Sequence, residues 1–296
     1  MISNRKYHFF DAHSHLQEPE IMWDIEGMLA RWQQIGGKGI VCCGTKESDW
    51  QSVARISSQY DNVLPSFGVH PWFVENVSEK WFDNLDNYLD IRFQGKTPFI
   101  GEIGLDHVIK NIDREKQKLV FKTQIQMAIE RKIPVSIHMR KGWDALIKIL
   151  KHTGPLGAGG IIHSYSGSAD MVPLLEKYGL YISFSGSVTH PENKKARKSL
   201  KKVSPDRLLI ETDSPAILPR YPFDPDARHS FDPDELFELT QFVQSQTLYE
   251  TGWNEPCNIL LVALAVSMIL DTSLGETAQI TALNGETLFN GIAPSH

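Results

Sequence analysis

The chain has 296 residues, a length that one barrel of eight βα units can use as a single domain. Hydrophobic residues make up 41% and charged residues 22%, enough apolar material for a large core, which argues against a disordered chain. The formal net charge of −6 argues against wholesale electrostatic adhesion to nucleic acid or an anionic membrane, but leaves room for a nucleic-acid end in a local pocket.

Taken in order, short apolar runs alternate with longer segments at helical spacing. The first strand is predicted at 7–10, and this run stops at Asp11, too short for the apolar region of a signal peptide. A helix follows at 21–35, where apolar residues fall three or four apart. Further strands are predicted at 39–43, 63–67, 98–100, 134–137, 160–162, 180–184 and 207–210, with helices at 81–93, 115–131 and 143–151. The apolar run at 259–270 has the length of a buried core helix rather than a membrane span. Cys42, Cys43 and Cys257 form neither a disulfide framework nor a CxxC knuckle, so a reducing, cytoplasmic location is expected.

A βα alternation implies parallel strands joined by right-handed crossovers, and eight such units can close into a barrel. A doubly wound sheet is the structural alternative. Barrel enzymes place their chemistry at the C-terminal ends of several different strands, and the polar residues here fall in that way. The expected fold is therefore an α/β, TIM-type (β/α)₈ barrel, a single domain over 1–296.

At the end of the first strand, Asp11-Ala12-His13-Ser14-His15 places two imidazoles two residues apart, so that on an extended segment they share a face and can share a metal. Glu102 lies between Gly101 and Gly104, where the backbone can approach closely, and is placed to bridge two cations. His138 and His163 are each the first strongly polar residue after a buried-strand pattern. Asp213, before Ser214-Pro215, fits either a turn residue or a sixth ligand. Four imidazoles and two carboxylates suit zinc, manganese or a similar divalent ion. Two such ions (+4) with Glu102 and Asp213 ionised (−2) would leave a local charge of +2, attractive to phosphate.

The chain resembles the TatD family of metal-dependent hydrolases and deoxyribonucleases over nearly its whole length. The resemblance is carried by Phe9-Phe10-Asp11-Ala12-His13-Ser14-His15, Gly68-Val69-His70-Pro71-Trp72, Gly101-Glu102-Ile103-Gly104-Leu105-Asp106 and Ile137-His138-Met139-Arg140. It continues in Ile162-His163-Ser164-Tyr165-Ser166-Gly167, Ile182-Ser183-Phe184-Ser185-Gly186, Glu211-Thr212-Asp213-Ser214-Pro215 and Asn254-Glu255-Pro256, with Asn284 and Phe289 near the end. It implies a TIM-type barrel with one metal held by His13, His15, Glu102 and Asp213 and a second by Glu102, His138 and His163. Magnesium, manganese or zinc would support removal of nucleotides from DNA ends. Gln17 and His107 depart from the family pattern, where Asn or Asp and an aromatic residue respectively are usual. The stretch 216–253, between Ser214-Pro215 and Asn254-Glu255-Pro256, is longer than the family suggests; this insertion follows the eighth strand, so it is expected on the active-site face, narrowing or capping the pocket through residues such as Arg220, Tyr221, Phe223 and Phe231.

The expected reaction is two-metal hydrolysis of a phosphodiester, with Glu102 and Asp213 in the catalytic centre and Asp213 also placed to take a proton from the attacking water. His70 and Arg140 are candidates to contact phosphate, and Trp72 and Tyr165 to stack on a base, with ordinary packing or surface roles as the alternatives. The basic run of Lys194, Lys195, Arg197, Lys198, Lys201 and Lys202 fits a solvated helix face. DNA or another phosphodiester, entering as single-stranded ends, is the expected partner, with no membrane and no obligate protein partner. Amide or ester hydrolysis, such as deacylation of an aminoacyl-tRNA, is the competing activity; a metal-binding protein without catalysis would be favoured by a missing ligand, and none is missing.

Overall fold

The computed structural model describes residues 7–220 and 252–290. Eight short runs dominated by apolar residues become strands because both their faces are covered: β1 (Phe9–Ser14), β2 (Gly37–Cys43), β3 (Val63–Phe67), β4 (Phe99–Asp106), β5 (Val135–Arg140), β6 (Gly160–Ile162), β7 (Leu180–Phe184) and β8 (Leu208–Ile210). They pair in chain order, every pair parallel. The seam between the first and last strands is stitched by Asp213 N–H to His13 O at 3.0 Å and His15 N–H to Ser214 O at 2.8 Å. The buried Asp11 carboxylate adds to the same seam by accepting from the Thr212 N–H and hydroxyl.

The intervening helices are α1 (Pro19–Met22), α2 (Ile25–Gln34), α3 (Glu47–Gln59), α4 (Trp81–Asp90), α5 (Arg114–Arg131), α6 (Trp143–Thr153), α7 (Val172–Lys177) and α8 (Lys194–Leu200), followed by α9 (Ile259–Leu270) and α10 (Leu274–Asn290). The helix expected at 21–35 is broken, because the Asp24 side chain accepts the Gly27 N–H and starts a new helix there. Asp113 caps α5 in the same manner, accepting from Glu115 N and Lys116 N.

Alternation along the strands divides the core. Ile40, Cys42, Ile162, Leu208 and Ile210 pack with helix residues such as Leu29, Trp32, Val53 and Ile56 in the layer between sheet and helices. Their neighbours Val41, Cys43, Ile161 and Leu209 point to the other face, where they meet Phe10, Phe99 and the end of α10. The Phe289 ring lies parallel to Phe10, centroids 5.8 Å apart, and tilted on Phe99 at 4.9 Å, plugging the end of the barrel where strands begin. Each such buried ring contributes roughly 1.5–3 kcal/mol through area removed from water. Asn284 ties α10 to β8 through bonds from its amide to Pro205 O and Leu208 O. The opposite end, where strands finish, is left to polar side chains. Among the described residues no single helix is long and apolar enough to cross a membrane, and α9 is buried along most of its length.

Several strands run further than their apolar cores suggest. Strand β1 reaches Ser14, β4 reaches Asp106 and β5 reaches Arg140, so His13, Glu102 and His138 stand within strands rather than in the turns after them. Parallel pairing extends through these polar residues, with Gly104 opposite His138 and Asp106 opposite Arg140. Gly104 has φ +150° and a Cβ there would lie 1.9 Å from His138 O, so only glycine permits this close approach.

Candidate metal centre

Glu102 is the hub. Its Oε1 lies 2.9 Å from His138 Nδ1, 2.8 Å from His163 Nε2 and 3.3 Å from His70 Nε2. Its Oε2 lies 3.5 Å from His13 Nε2 and 3.4 Å from His15 Nε2. Asp213 Oδ1 faces the latter pair at 3.8 and 3.4 Å, and the two Nε2 atoms are 3.2 Å apart. His138 Nδ1 and His163 Nε2 are likewise 3.2 Å apart. All six residues expected to hold metal are therefore together around one carboxylate, and their donor atoms form overlapping groups: His13, His15 and Asp213; His13, Glu102 and His163; and Glu102 and His138 with His70.

The outer nitrogen of each imidazole has a polar neighbour. His15 Nδ1 donates to Cys43 O at 2.8 Å, which leaves Nε2 with a free lone pair in the neutral ring. His13 Nδ1 contacts Ser136 Oγ at 2.7 Å, His138 Nε2 faces Asp106 Oδ2 at 3.3 Å, and His163 Nδ1 faces Glu211 Oε1 at 3.4 Å. Orientation of one ring nitrogen by a carboxylate or carbonyl, with the other aimed inward, is how proteins prepare histidine for a metal. The spacing also fits: two atoms bound at ~2.1 Å to one tetrahedral ion are about 3.4 Å apart, close to the separations among His13, His15, Glu102 and Asp213. The donor set thus fits divalent ions of the borderline kind.

Burial penalises the charge of Glu102, but the neighbouring His70 and His163 and hydrogen bonds from His13 and His138 outweigh it and hold the carboxyl well below its ordinary range. Asp213 is also buried, yet is pulled down by the His15 hydrogen bond and nearby imidazoles. The histidines respond unequally. Burial opposes protonation of His15, but Asp213 and Glu102 overcome it and raise its pKa to about 9; His163 and His138 are raised too, by Glu102 together with Glu211 and Asp106 respectively. Burial dominates at His13, which is lowered, and at His70, lowered to about 4. The carboxylates that raise His15, His138 and His163 thus favour positive charge, a proton or a metal cation, at the same places. Divalent affinity is expected to rise steeply with pH from 6 toward 9, with more than one proton released per protein, as read by chelator competition and by titration calorimetry in buffers of different ionisation enthalpy. Affinity independent of pH would contradict this.

The remaining candidates take distinct places. His70 is buried and its Nδ1 accepts the Trp72 N–H at 3.2 Å, so its Nε2 carries the proton and donates toward Glu102. Trp72 is 44% exposed and its Nε1 donates to Asp106 Oδ2 at 2.7 Å, which fixes the indole at the cleft mouth. Arg140 is half-exposed and its Nη1 lies 3.3 Å from the same oxygen. Tyr165 is buried, packed edge-on against Trp143 and Phe184 with its hydroxyl on Ser168 O, and reaches the cleft only as part of its wall. Gln17, one of the departures, donates to Cys43 O alongside His15. Of the basic run, Lys195 lines the cleft and bonds Ser166 O, while Ala196, Ser199 and Leu200 form the buried side of α8. The cleft holds about 770 Å³. Ala216 and Ile217 border it, but residues 221–251, on which the expected cap rests, lie outside the described residues.

Two groups in the centre carry no role assigned from the sequence: Asp106 and Glu211. Both stand in the motifs named above, adjacent to or two residues from polar strand-end positions, and both are buried against a histidine. They change the local charge. Two divalent ions (+4) would face Glu102, Asp213, Asp106 and Glu211 (formally −4), so the expected surplus of +2 is cancelled, and attraction for an anion must come from cations outside this set, such as Arg140, which pairs with Asp106.

A parallel eight-stranded barrel with imidazoles and carboxylates gathered where its strands end is the architecture of a metal-dependent hydrolase. Comparison with known proteins agrees with this class and narrows it. The chain belongs to the TatD family: the profile described as TatD related DNase matches residues 10–290. The uncharacterized metal-dependent hydrolase YabD of Bacillus subtilis is 29% identical over 280 residues, covering 95% of this chain and 98% of its own. The 3'-5' ssDNA/RNA exonuclease TatD of Erwinia tasmaniensis is 27% identical over 288 residues, covering 95% and 99%. Among solved structures, the TatD homologue YjjV of Escherichia coli superposes with a TM-score of 0.80 at 26% identity, covering 98% of this chain and 99% of its own.

Proposed function

We propose that the protein is a two-metal phosphodiesterase that removes nucleotides from the ends of single-stranded DNA. The observation that carries the reading is the division of Glu102, one oxygen toward His138 and His163 and the other toward His13 and His15. Bound divalent ions would supply a water of lowered pKa and polarisation of a phosphoryl oxygen. His13, His15 and Asp213 would hold one ion, His138 and His163 the other, and Glu102 both.

The protein's own groups supply the rest. Asp213 Oδ1, beside the first group, accepts a proton from the attacking water. The His70 Nε2–H points at the Glu102 side of the cleft and offers a neutral donor to an anionic oxygen. Arg140, held by Asp106, gives a fixed positive charge at the rim, and the anchored Trp72 offers a face on which a terminal base can stack. The nuclease name of the Erwinia tasmaniensis relative supports a nucleic-acid substrate. A cytoplasmic setting belongs to the proposal, supported by Cys42, Cys43 and Cys257 being free and buried.

The test compares end-labelled single-stranded DNA, duplex DNA, RNA, and ester and amide substrates under defined divalent ions. Metal-dependent shortening of single-stranded DNA from one end is the expected result, lowered about a hundredfold by Asp213→Asn through loss of the proton acceptor. Cleavage without metal, or a preference for esters or amides, overturns the reading. Unchanged activity in the variant removes Asp213 from proton transfer.

A further inference from the structure

We propose that the groove between α5 and α6 is a second nucleic-acid subsite, which holds the sugar-phosphate backbone of a single strand whose end lies in the metal centre. The inference rests on the nuclease reading above. This groove, about 340 Å³, is separate from the cleft and is lined by Lys118 and Lys122 from α5, Lys148 from α6 and Lys141 from the loop between β5 and α6, with His107 at its upper end and His152 at its lower. Asp144 is the one acidic residue in that lining. Four lysines against Asp144, with Glu115 just outside the lining and 3.2 Å from Lys118 Nζ, leave a local +2 on a chain of net charge −6.

Geometry connects the groove to the centre. His107 directly follows Asp106, which touches His138, and Lys141 directly follows Arg140 at the cleft rim. The His107 N–H bonds Arg140 O at 2.8 Å, so the top of the groove and the rim of the cleft are joined through one backbone contact. Lys141 adopts φ +57°, a conformation unfavourable for lysine, at this junction. From there the lysines descend the helices: Lys118 and Lys122 are one turn apart, about 6 Å, and the span from Lys141 to His152 along α6 is about 15 Å, room for several nucleotides. Elsewhere the cleft is lined by Glu18 and Glu20 with Lys46, a net −1, so a polyanion leaving the centre is favoured toward Arg140 and Lys141. The run at 194–202 carries more charge, but Lys195 alone of its cations lines the cleft, and that ammonium already bonds Ser166 O.

The experiment measures binding of phosphorothioate-linked dT12 and dT3, which keep the backbone charge and resist hydrolysis, by fluorescence anisotropy, across salt, to the metal-loaded protein, to Lys118→Gln/Lys122→Gln/Lys148→Gln, to the charge-retaining Lys→Arg triple, and to Lys198→Gln/Lys201→Gln/Lys202→Gln. Tripolyphosphate serves as a free-anion competitor. In the first variant dT12 is expected to weaken at least tenfold more than dT3, and the slope of log affinity against log salt to flatten by about 2, because three ammonium groups no longer neutralise backbone phosphates. The arginine triple retains dT12 binding. Equal affinity of the wild type for dT12 and dT3, a loss of dT12 binding in the 198–202 variant instead, or tripolyphosphate binding in the groove without dT12 binding would each overturn the proposal. Binding does not depend on turnover, so a groove that grips dT12 on a protein that fails to cleave DNA separates failure of the function reading from failure of the subsite.

Discussion

Glu102→Gln is expected to lower kcat by about ten thousandfold, near 5.4 kcal/mol of transition-state stabilisation, and to reduce bound divalent metal from the two equivalents proposed above to one or fewer. The amide keeps one acceptor oxygen, which can serve either His138 and His163 or His13 and His15, and places an NH₂ toward the other pair. A donor aimed at a cation site repels the ion that belongs there. Loss of the carboxylate also removes the charge that raises the His163 and His15 pKa values, so the residual site should bind its ion at lower pH than the wild type does. Metal analysis by mass spectrometry, together with single-turnover cleavage of an end-labelled oligonucleotide, checks both halves. Two retained ions with unchanged kcat would show that Glu102 does not couple the two groups.

Much of this arrangement is legible in the chain. The eight strands appear as eight apolar runs because a parallel barrel buries both strand faces, and the six expected ligands stand where those runs give way to polar residues. Less legible are the partners that local sequence does not determine. Asp106 reads as the acid closing a glycine-rich strand, and its contacts with Trp72, His138 and Arg140 exist only because β3, β4 and β5 lie side by side. Glu211 precedes Asp213 by two residues, and only the three-dimensional path brings it to His163 and the Ser164 N–H. Asp11 stands two residues before His13, yet it serves the barrel seam through Thr212, more than two hundred positions away in the chain. A two-residue period identifies a shared face within one strand, but not which face of a neighbouring strand will meet it. The basic groove is hidden for the same reason: its lysines come from three separate segments, whereas the run at 194–202 is conspicuous because it is contiguous.

Asp106→Ala is expected to lower kcat/KM by about a thousandfold, roughly 4 kcal/mol, although Asp106 is assigned to neither ion. Its Oδ2 lies 2.7 Å from Trp72 Nε1 and 3.3 Å from both His138 Nε2 and Arg140 Nη1, while Oδ1 accepts from Val108 N at 2.8 Å and Ile109 N at 3.3 Å. Burial penalises its charge, but the His138, Trp72 and Val108 hydrogen bonds more than offset this, so it remains an anion at neutral pH. Alanine strands these donors, at about 1–3 kcal/mol for each that stays dry, and it frees His138 to rotate or to change tautomer. The ion proposed beside His138 should then bind ten to a hundredfold more weakly, while the one proposed for His13, His15 and Asp213 is retained. Because alanine also loosens the loop at Val108 and Ile109, Asp106→Asn provides the sharper test: it can satisfy the loop or the Trp72, His138 and Arg140 side, but not both. Saturating metal should restore much of kcat in the asparagine variant and leave KM raised, since a tighter ion cannot re-anchor Trp72 or Arg140. Full recovery of both parameters would reduce Asp106 to a metal-affinity residue, and no change in either would show that His138 is held in place by packing alone.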